Sequence, residues 1–195
     1  MKTQLFTLIF GAILFTSCQQ KEMKISRSDF SVVTEMTDFS PAYILKNEAG
    51  KVEIQKNSLI GNTHWVLSID RDLTMNEVAP FLQELTEKKH KKGGMHEDTK
   101  AIYLVYSDTL HKQNAYVKMP FESFALEEQP VYELAEGVQS LLLKSVADAK
   151  NPLDKIQTYL VRIDKNIGVE TFVNILIELE KQKISESLNS EVYVN

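Results

Sequence analysis

One cysteine, one tryptophan, seven glycines and five prolines are all that 195 residues hold of those types. The single cysteine, Cys18, excludes an internal disulfide framework and a cysteine-built metal site. So few glycines and prolines exclude a collagen-like or low-complexity chain. A basic excess is also missing. The formal net charge is −5, whereas a nucleic-acid surface needs a basic face to neutralise phosphates. No apolar run is long enough to span a bilayer, which takes about 20 residues; the longest, Leu5 to Phe15, is interrupted by Thr7. What is present is ordinary for a globular chain: 43% apolar and 25% charged residues, well outside the disordered range. This length fits one domain or two small ones.

The start, "MKTQLFTLIFGAILFTSCQQKE", has the layout of an export signal: Lys2, an apolar run, then the small residues Thr16 and Ser17. Phe15-Thr16-Ser17-Cys18 resembles a bacterial lipobox, with Phe15 where leucine is usual. In that class of signal the cysteine is acylated and becomes the new N-terminus. The expectation is a signal peptide over 1–17, lipidation (palmitate included) at Cys18 and a tether over 18–40. Val32, Val33 and Phe39 are the tether residues expected to dock on the body. The alternative is an ordinary secretory signal with an incidental cysteine. Several acyl chains on one residue give a lasting anchor, whereas one chain is marginal. Losing 1–17 removes only Lys2, so the mature chain is one charge more acidic.

Beyond the tether, "AYILKNEAGKVEIQ" (42–55) alternates apolar and polar residues around Asn47-Glu48-Ala49-Gly50, a hairpin pattern. "HWVLSID" is a continuous apolar run, as in a buried strand. Thr74 and Glu77 form a capping-box pair ahead of a helix whose stripe is Val78, Phe81, Leu82 and Leu85. Pro80 is expected early in that helix, where a missing donor costs least. The helix is expected to end in the glycine-bearing loop "KKHKKGGMHEDTK", followed by the buried strand "AIYLVYS".

The chain then repeats itself. "WVLSIDRDLTMNEVAPFLQELTEKK", from Trp65, pairs without a gap with "YLVRIDKNIGVETFVNILIELEKQK", from Tyr159, and roughly a quarter of the pairs are identical. Gly168 takes the capping place of Thr74, and Val169, Phe172, Leu176 and Leu179 form the second stripe. A strand from Phe121 to Tyr132, broken near Gln129-Pro130, is expected before this copy. So is a long helix in "YELAEGVQSLLLKSVADAKN", with Leu134, Val138, Leu141, Leu142 and Val146 on one side. "SEVYVN" reads as a closing strand. The expected organisation is two small α/β domains side by side, 41–113 (a trimmed copy) and 114–195.

The second copy resembles the periplasmic domain of the ExbD/TolR biopolymer-transport family. The matching positions are Ile163, Asp164, Lys165, Val169, Glu170, Phe172, Val173, Leu176 and Leu179. The first copy, "WVLSIDRDLTMNEVAPFLQEL", is a weaker match. The resemblance implies an α+β fold of two β-α-β sandwich-type domains with helices packed on mixed sheets. It implies no catalysis and no cofactor. The implied role is binding, in biopolymer transport or envelope organisation. The implied partners are the membrane through the lipid anchor, envelope proteins of a TonB/Tol-type system, or peptidoglycan; a homodimer fits as well. The implied place is the cell envelope of a Gram-negative bacterium, facing the periplasm or the surface. One departure is large. Family members carry an uncleaved transmembrane helix with a proton-coupling carboxylate, and no Asp or Glu lies between Lys2 and Cys18. The alternative function is a periplasmic enzyme or small-ligand carrier using the groove between domains.

Candidate chemistry is sparse. Asp70 and Asp164 end equivalent strands and could form a carboxylate pair. The preferred reading is that each caps the turn after its strand. His90, His96, Glu97 and Asp98 fit no ligand spacing, so no metal is expected. Lys88-Lys89-His90-Lys91-Lys92 reads as a solvated loop, with an anionic headgroup or glycan contact as the alternative. No Ser-His-Asp order, glycine-rich phosphate loop or cysteine nucleophile stands out.

Overall fold

A computed structural model describes residues 23–56, 59–90, 100–126 and 137–195. The elements are β1 (Ser26–Ser28), β2 (Phe39–Lys46), β3 (Val52–Gln55), β4 (His64–Ile69), α1 (Met75–His90), β5 (Ile102–Asp108), β6 (Gln113–Lys118), β7 (Ser123–Ala125), β8 (Val138–Leu143), α2 (Val146–Lys150), β9 (Thr158–Ile163), α3 (Val169–Lys181) and β10 (Leu188–Val194). The class is α+β.

Two sheets form. The six-stranded one runs β1-β5-β4-β2-β3, with β6 also on β5; the four-stranded one runs β7-β10-β9-β8. Their centres correspond. Strand β2 lies parallel to β4 from Phe39↔His64 to Ile44↔Ile69, and β8 lies parallel to β9 from Val138↔Thr158 to Leu143↔Ile163. Trp65 pairs with Ile102 and Tyr159 with Leu188, so each crossover helix returns to a parallel strand at the same register. The two copies in the sequence therefore adopt one strand–turn–helix–strand arrangement. Buried residues of both sheets and of α1 and α3 form one continuous cluster. Helix α1 lies against β7 of the other sheet, and α3 against β1 and β6.

The helix stripes are placed as the periodicity predicts. Val78, Leu82 and Leu85 are buried in α1, with Phe81 at the rim; Val169, Phe172, Leu176 and Leu179 are buried in α3. The hairpin of β2 and β3 forms, with Gly50 at φ +77 in its turn, where a side chain would be strained. Pro80 lies deeper than expected: it is the sixth residue of α1, so one helical hydrogen bond is lost there.

Several expectations are corrected. The long helix before the second copy does not form. Its apolar run is β8, after Gly137 at φ +81, and only Val146–Lys150 is helical. A short apolar run reads equally well at either period, and the ladder with β9 decides it; Leu134 lies outside the described residues. Of the strand expected over 121–132, Ser123–Ala125 is β7, and residues from 127 on are outside the described set. The tether does not extend to residue 40. Ser26–Ser28 pairs with β5, and Val33 bridges Tyr116. Those contacts are made by backbone, so side-chain polarity does not reveal them. The boundary at 113/114 falls at the start of β6, which pairs with β5 in the first sheet. The half read as trimmed holds the larger sheet. Lys88, Lys89 and His90 end α1, not a loop; Lys91, Lys92, His96, Glu97 and Asp98 lie outside the described residues.

Candidate binding surfaces

Each aspartate of the suggested pair closes its own turn. Asp70 Oδ1 accepts the Asp72 amide at 3.1 Å, and Asp164 Oδ1 accepts the Asn166 amide at 2.9 Å. Asp70 is 4% exposed. The turns then meet. Thr74 and Gly168, at matching positions, form an antiparallel bridge. The first amides of α1, on Met75 and Asn76, donate to the carbonyls of Ile167 and Lys165 at 2.9 and 2.8 Å. These are orphan donors of a helix end, and each half satisfies those of the other. The capping box forms in modified shape. Glu77 accepts from the Thr74 amide and hydroxyl at 2.9 and 3.0 Å, and Lys46 pairs with its other oxygen at 2.8 Å. The Lys46 ammonium holds the Glu77 carboxyl below its usual range.

The groove between the halves is a cleft of about 160 Å³ lined by Asn76, Pro80, Leu126, Lys165 and Asn195. That is below the roughly 300–1,000 Å³ of small-molecule sites. Among the described residues no three His, Cys, Asp or Glu side chains cluster as for a metal. Nor is any described helix long and apolar enough to cross a membrane.

The surfaces with most character are sheet edges and faces. Among the described residues β7 and β8 end the smaller sheet, with β7 packed against α1, and β3 ends the larger one opposite β1 and β6. Strand β3 carries Glu53 and is flanked by Lys51 and Lys56, the usual protection of an edge. Strand β8, Val-Gln-Ser-Leu-Leu-Leu, holds no charge and no proline. Beside its start, Ile156 is 92% exposed. Phe39 and Tyr43 alternate with the buried Ala42 and Ile44, so they lie on the opposite face of the first sheet, 42% and 40% exposed. On that same face His64 meets Tyr103 edge-on at 5.3 Å. Burial holds the imidazole below its ordinary pKa, and its Nδ1 accepts the Ala101 amide at 3.1 Å.

A second polar centre was not suggested by the sequence. Asp108 is fully buried at the end of β5. Its carboxylate accepts from the Leu110 and His111 amides at 2.9 and 3.0 Å, from His111 Nδ1 at 2.7 Å, and from the Ser31 hydroxyl. The Ser31 hydroxyl and the turn amides hold its pKa far below the carboxylate range. Serine and histidine both bind the aspartate, so the histidine does not bridge them and no Ser-His-Asp relay exists here. The only signal in the sequence is Asp108-Thr-Leu-His, a turn-capping pattern that turns commonly carry. No protein-family model matches the chain, and no curated protein or solved structure matches it either.

Proposed function

We propose that this is a lipid-anchored protein of the Gram-negative cell envelope that works by binding, through ExbD/TolR-like periplasmic domains, in biopolymer transport or envelope organisation. The anchor is Cys18, in its lipobox-like context, which lies outside the described residues. The observation that carries the binding role is that β8, among the described residues, ends its sheet and holds no charge and no proline. An edge strand without charge or proline is a template for an added strand, and recognition by strand addition uses main-chain hydrogen bonds for affinity. The twin strand–turn–helix units support the family resemblance. The strand donor is an envelope protein of TonB/Tol type. Peptidoglycan and a second copy of this chain are the other partners that the resemblance implies.

The test places a photo-crosslinker at Gln139 on β8 and, as control, at Gln55 on β3, in intact envelopes. The expected result is a defined adduct from position 139 that disappears in Ser140→Lys, where an edge charge blocks pairing. No adduct at 139, or the same adduct at 55, sinks the strand-addition reading. Cys18→Ala is expected to leave the membrane fraction or to stay unprocessed. A cleaved, membrane-retained Cys18→Ala protein rules out the anchor.

A further inference from the structure

Three segments of the first sheet meet at one imidazole. His64 opens β4, and its amide donates to the Asp38 carbonyl at 3.0 Å, just before β2. Its ring Nδ1 accepts the Ala101 amide at 3.1 Å, just before β5. The Trp65 amide returns to the Ala101 carbonyl at 3.0 Å. The first ladder pair of β4 and β5, Trp65 with Ile102, follows directly. The end of that ladder is thus closed by one backbone bond and one bond to a side chain.

An imidazole accepts at Nδ1 only while that nitrogen carries no proton. The bond to Ala101 therefore needs a neutral ring with its proton on Nε2. A proton on Nδ1 sets one N–H against another and leaves the Ala101 amide without its acceptor, which is the costly way to lose a hydrogen bond. The charges around the ring add to this. Lys100, next to Ala101, donates to Asp38 Oδ2 at 2.8 Å. Lys89, from the end of α1, donates to the carbonyl of Thr63, next to His64, at 2.8 Å. Two ammonium groups thus stand near the ring against one carboxylate, and Lys100 already occupies that carboxylate. From β5 the Tyr103 ring meets the imidazole edge-on at 5.3 Å and offers no countercharge. Burial, then Lys100, hold the imidazole below its ordinary pKa, so the ring is neutral at neutral pH.

We propose that His64 is an acid-sensitive latch: once protonated it releases the Ala101 amide, and the entering end of β5 parts from β4 while the rest of the sheet stays paired. The middle of the ladder has no such dependence, because Leu67 and Leu104 pair through backbone alone. Local opening of this kind needs less free energy than unfolding the whole chain. Trp65, 2% exposed, lies at the end that opens. Phe39, paired in register with His64, is 42% exposed. Acid therefore turns an aromatic corner of the sheet into a cationic one.

The test follows amide hydrogen exchange in the full chain between about pH 7.5 and about pH 5, each rate divided by its intrinsic value at that pH. Protection at Trp65 and Ala101 is expected to fall roughly tenfold, the worth of one hydrogen bond. Its midpoint should equal that of the His64 ring titration, read from nitrogen-15 shifts. Protection at Leu67 and Leu104 is expected to hold. His64→Asn puts an amide oxygen in the place of Nδ1 and should make Trp65 and Ala101 insensitive to pH. Lys100→Met removes a cation that opposes the imidazolium and should move the midpoint to higher pH. Protection lost at all four positions together is global unfolding and overturns the latch. So does constant protection at Ala101 while His64 titrates, a His64 that stays neutral down to about pH 5, or a midpoint unmoved in Lys100→Met. Should His64→Asn fail to fold, the parent chain decides: opening and titration midpoints that differ overturn the proposal.

Discussion

Thr74 and Gly168 face each other across an antiparallel bridge at matching positions of the two strand–turn–helix units. On either side of them Met75 donates to Ile167 at 2.9 Å and Val169 donates to Leu73 at 2.8 Å. The two bonds are exchanged by an approximate two-fold rotation. Each helix start is thereby capped by the other half, which explains why Gly168, with no side chain to cap with, begins a stable helix.

Gly168 has φ −70, ordinary for any residue, and an added methyl group would meet only the Leu73 carbonyl at 3.8 Å. Gly168→Ala is therefore expected to stabilise the protein by about 0.4–1 kcal/mol, chiefly by restricting the unfolded chain. Urea unfolding checks this. A loss of stability would show that the junction needs a closer approach than these distances give.

Asp70→Asn and Asp164→Asn keep an acceptor for the turn amides at 3.1 and 2.9 Å. Each is expected to change stability by no more than about 1 kcal/mol and to leave function intact. A folded Asp164→Asn protein without activity in an envelope assay would make that carboxylate a functional site.

Lys89 Nζ donates to the carbonyls of Gly61 and Thr63, both at 2.8 Å, and sits 4.8 Å from the Trp65 ring. Lys89→Met keeps the stem and leaves those two carbonyls short of a donor. A loss of about 1–2 kcal/mol is expected, together with a changed emission of the sole tryptophan, whose indole N–H bonds the Ile60 carbonyl at 2.8 Å. Unaltered stability and emission would show that this loop is held by other contacts.

The pH dependence has two separable parts. His64 is held below its ordinary pKa of 6.5 by burial and then by Lys100. Its folded pKa is depressed, so its contribution is complete above pH 6.5 and is lost as pH falls below that value. Asp108 is depressed too, mainly by the Ser31 hydroxyl and the His111 amide. Its contribution is complete above the carboxylate value of 3.8 and erodes only below it. Melting temperature is therefore expected to fall in two steps on acidification. His64→Gln should flatten the upper step, and Asp108→Asn should shrink the lower, to which the depressed Glu77, Asp38 and Asp148 carboxyls also contribute. A His64→Gln profile that keeps the upper step would assign it to another group.

Much of the centre of the fold was legible in the chain. The repeats around Trp65 and Tyr159 carry continuous apolar strands and stripes of period 3.6, and both become parallel strand plus crossover helix. The turn roles of Asp70 and Asp164 were legible for the same reason: an Asx turn is made within three residues. The Asp108 centre was not, because Ser31 and Asp108 are far apart in the chain and only β1 lying on β5 brings them together.

Local pattern thus determined helices α1 and α3, the central strands β4, β5 and β9 and the turn at Asn47–Gly50. Each depends on neighbours a few residues away. Tertiary structure decided the rest. Whether Val138–Leu143 is strand or helix depended on β9 offering a ladder. The polar stretch Ser26–Ser28 became a strand because β5 had free backbone groups for it. The two halves share one core because each helix finds the other half's strands, and its first amides find the other half's carbonyls. Backbone hydrogen bonding and packing between distant segments carry no local periodicity, so no window of sequence could display them.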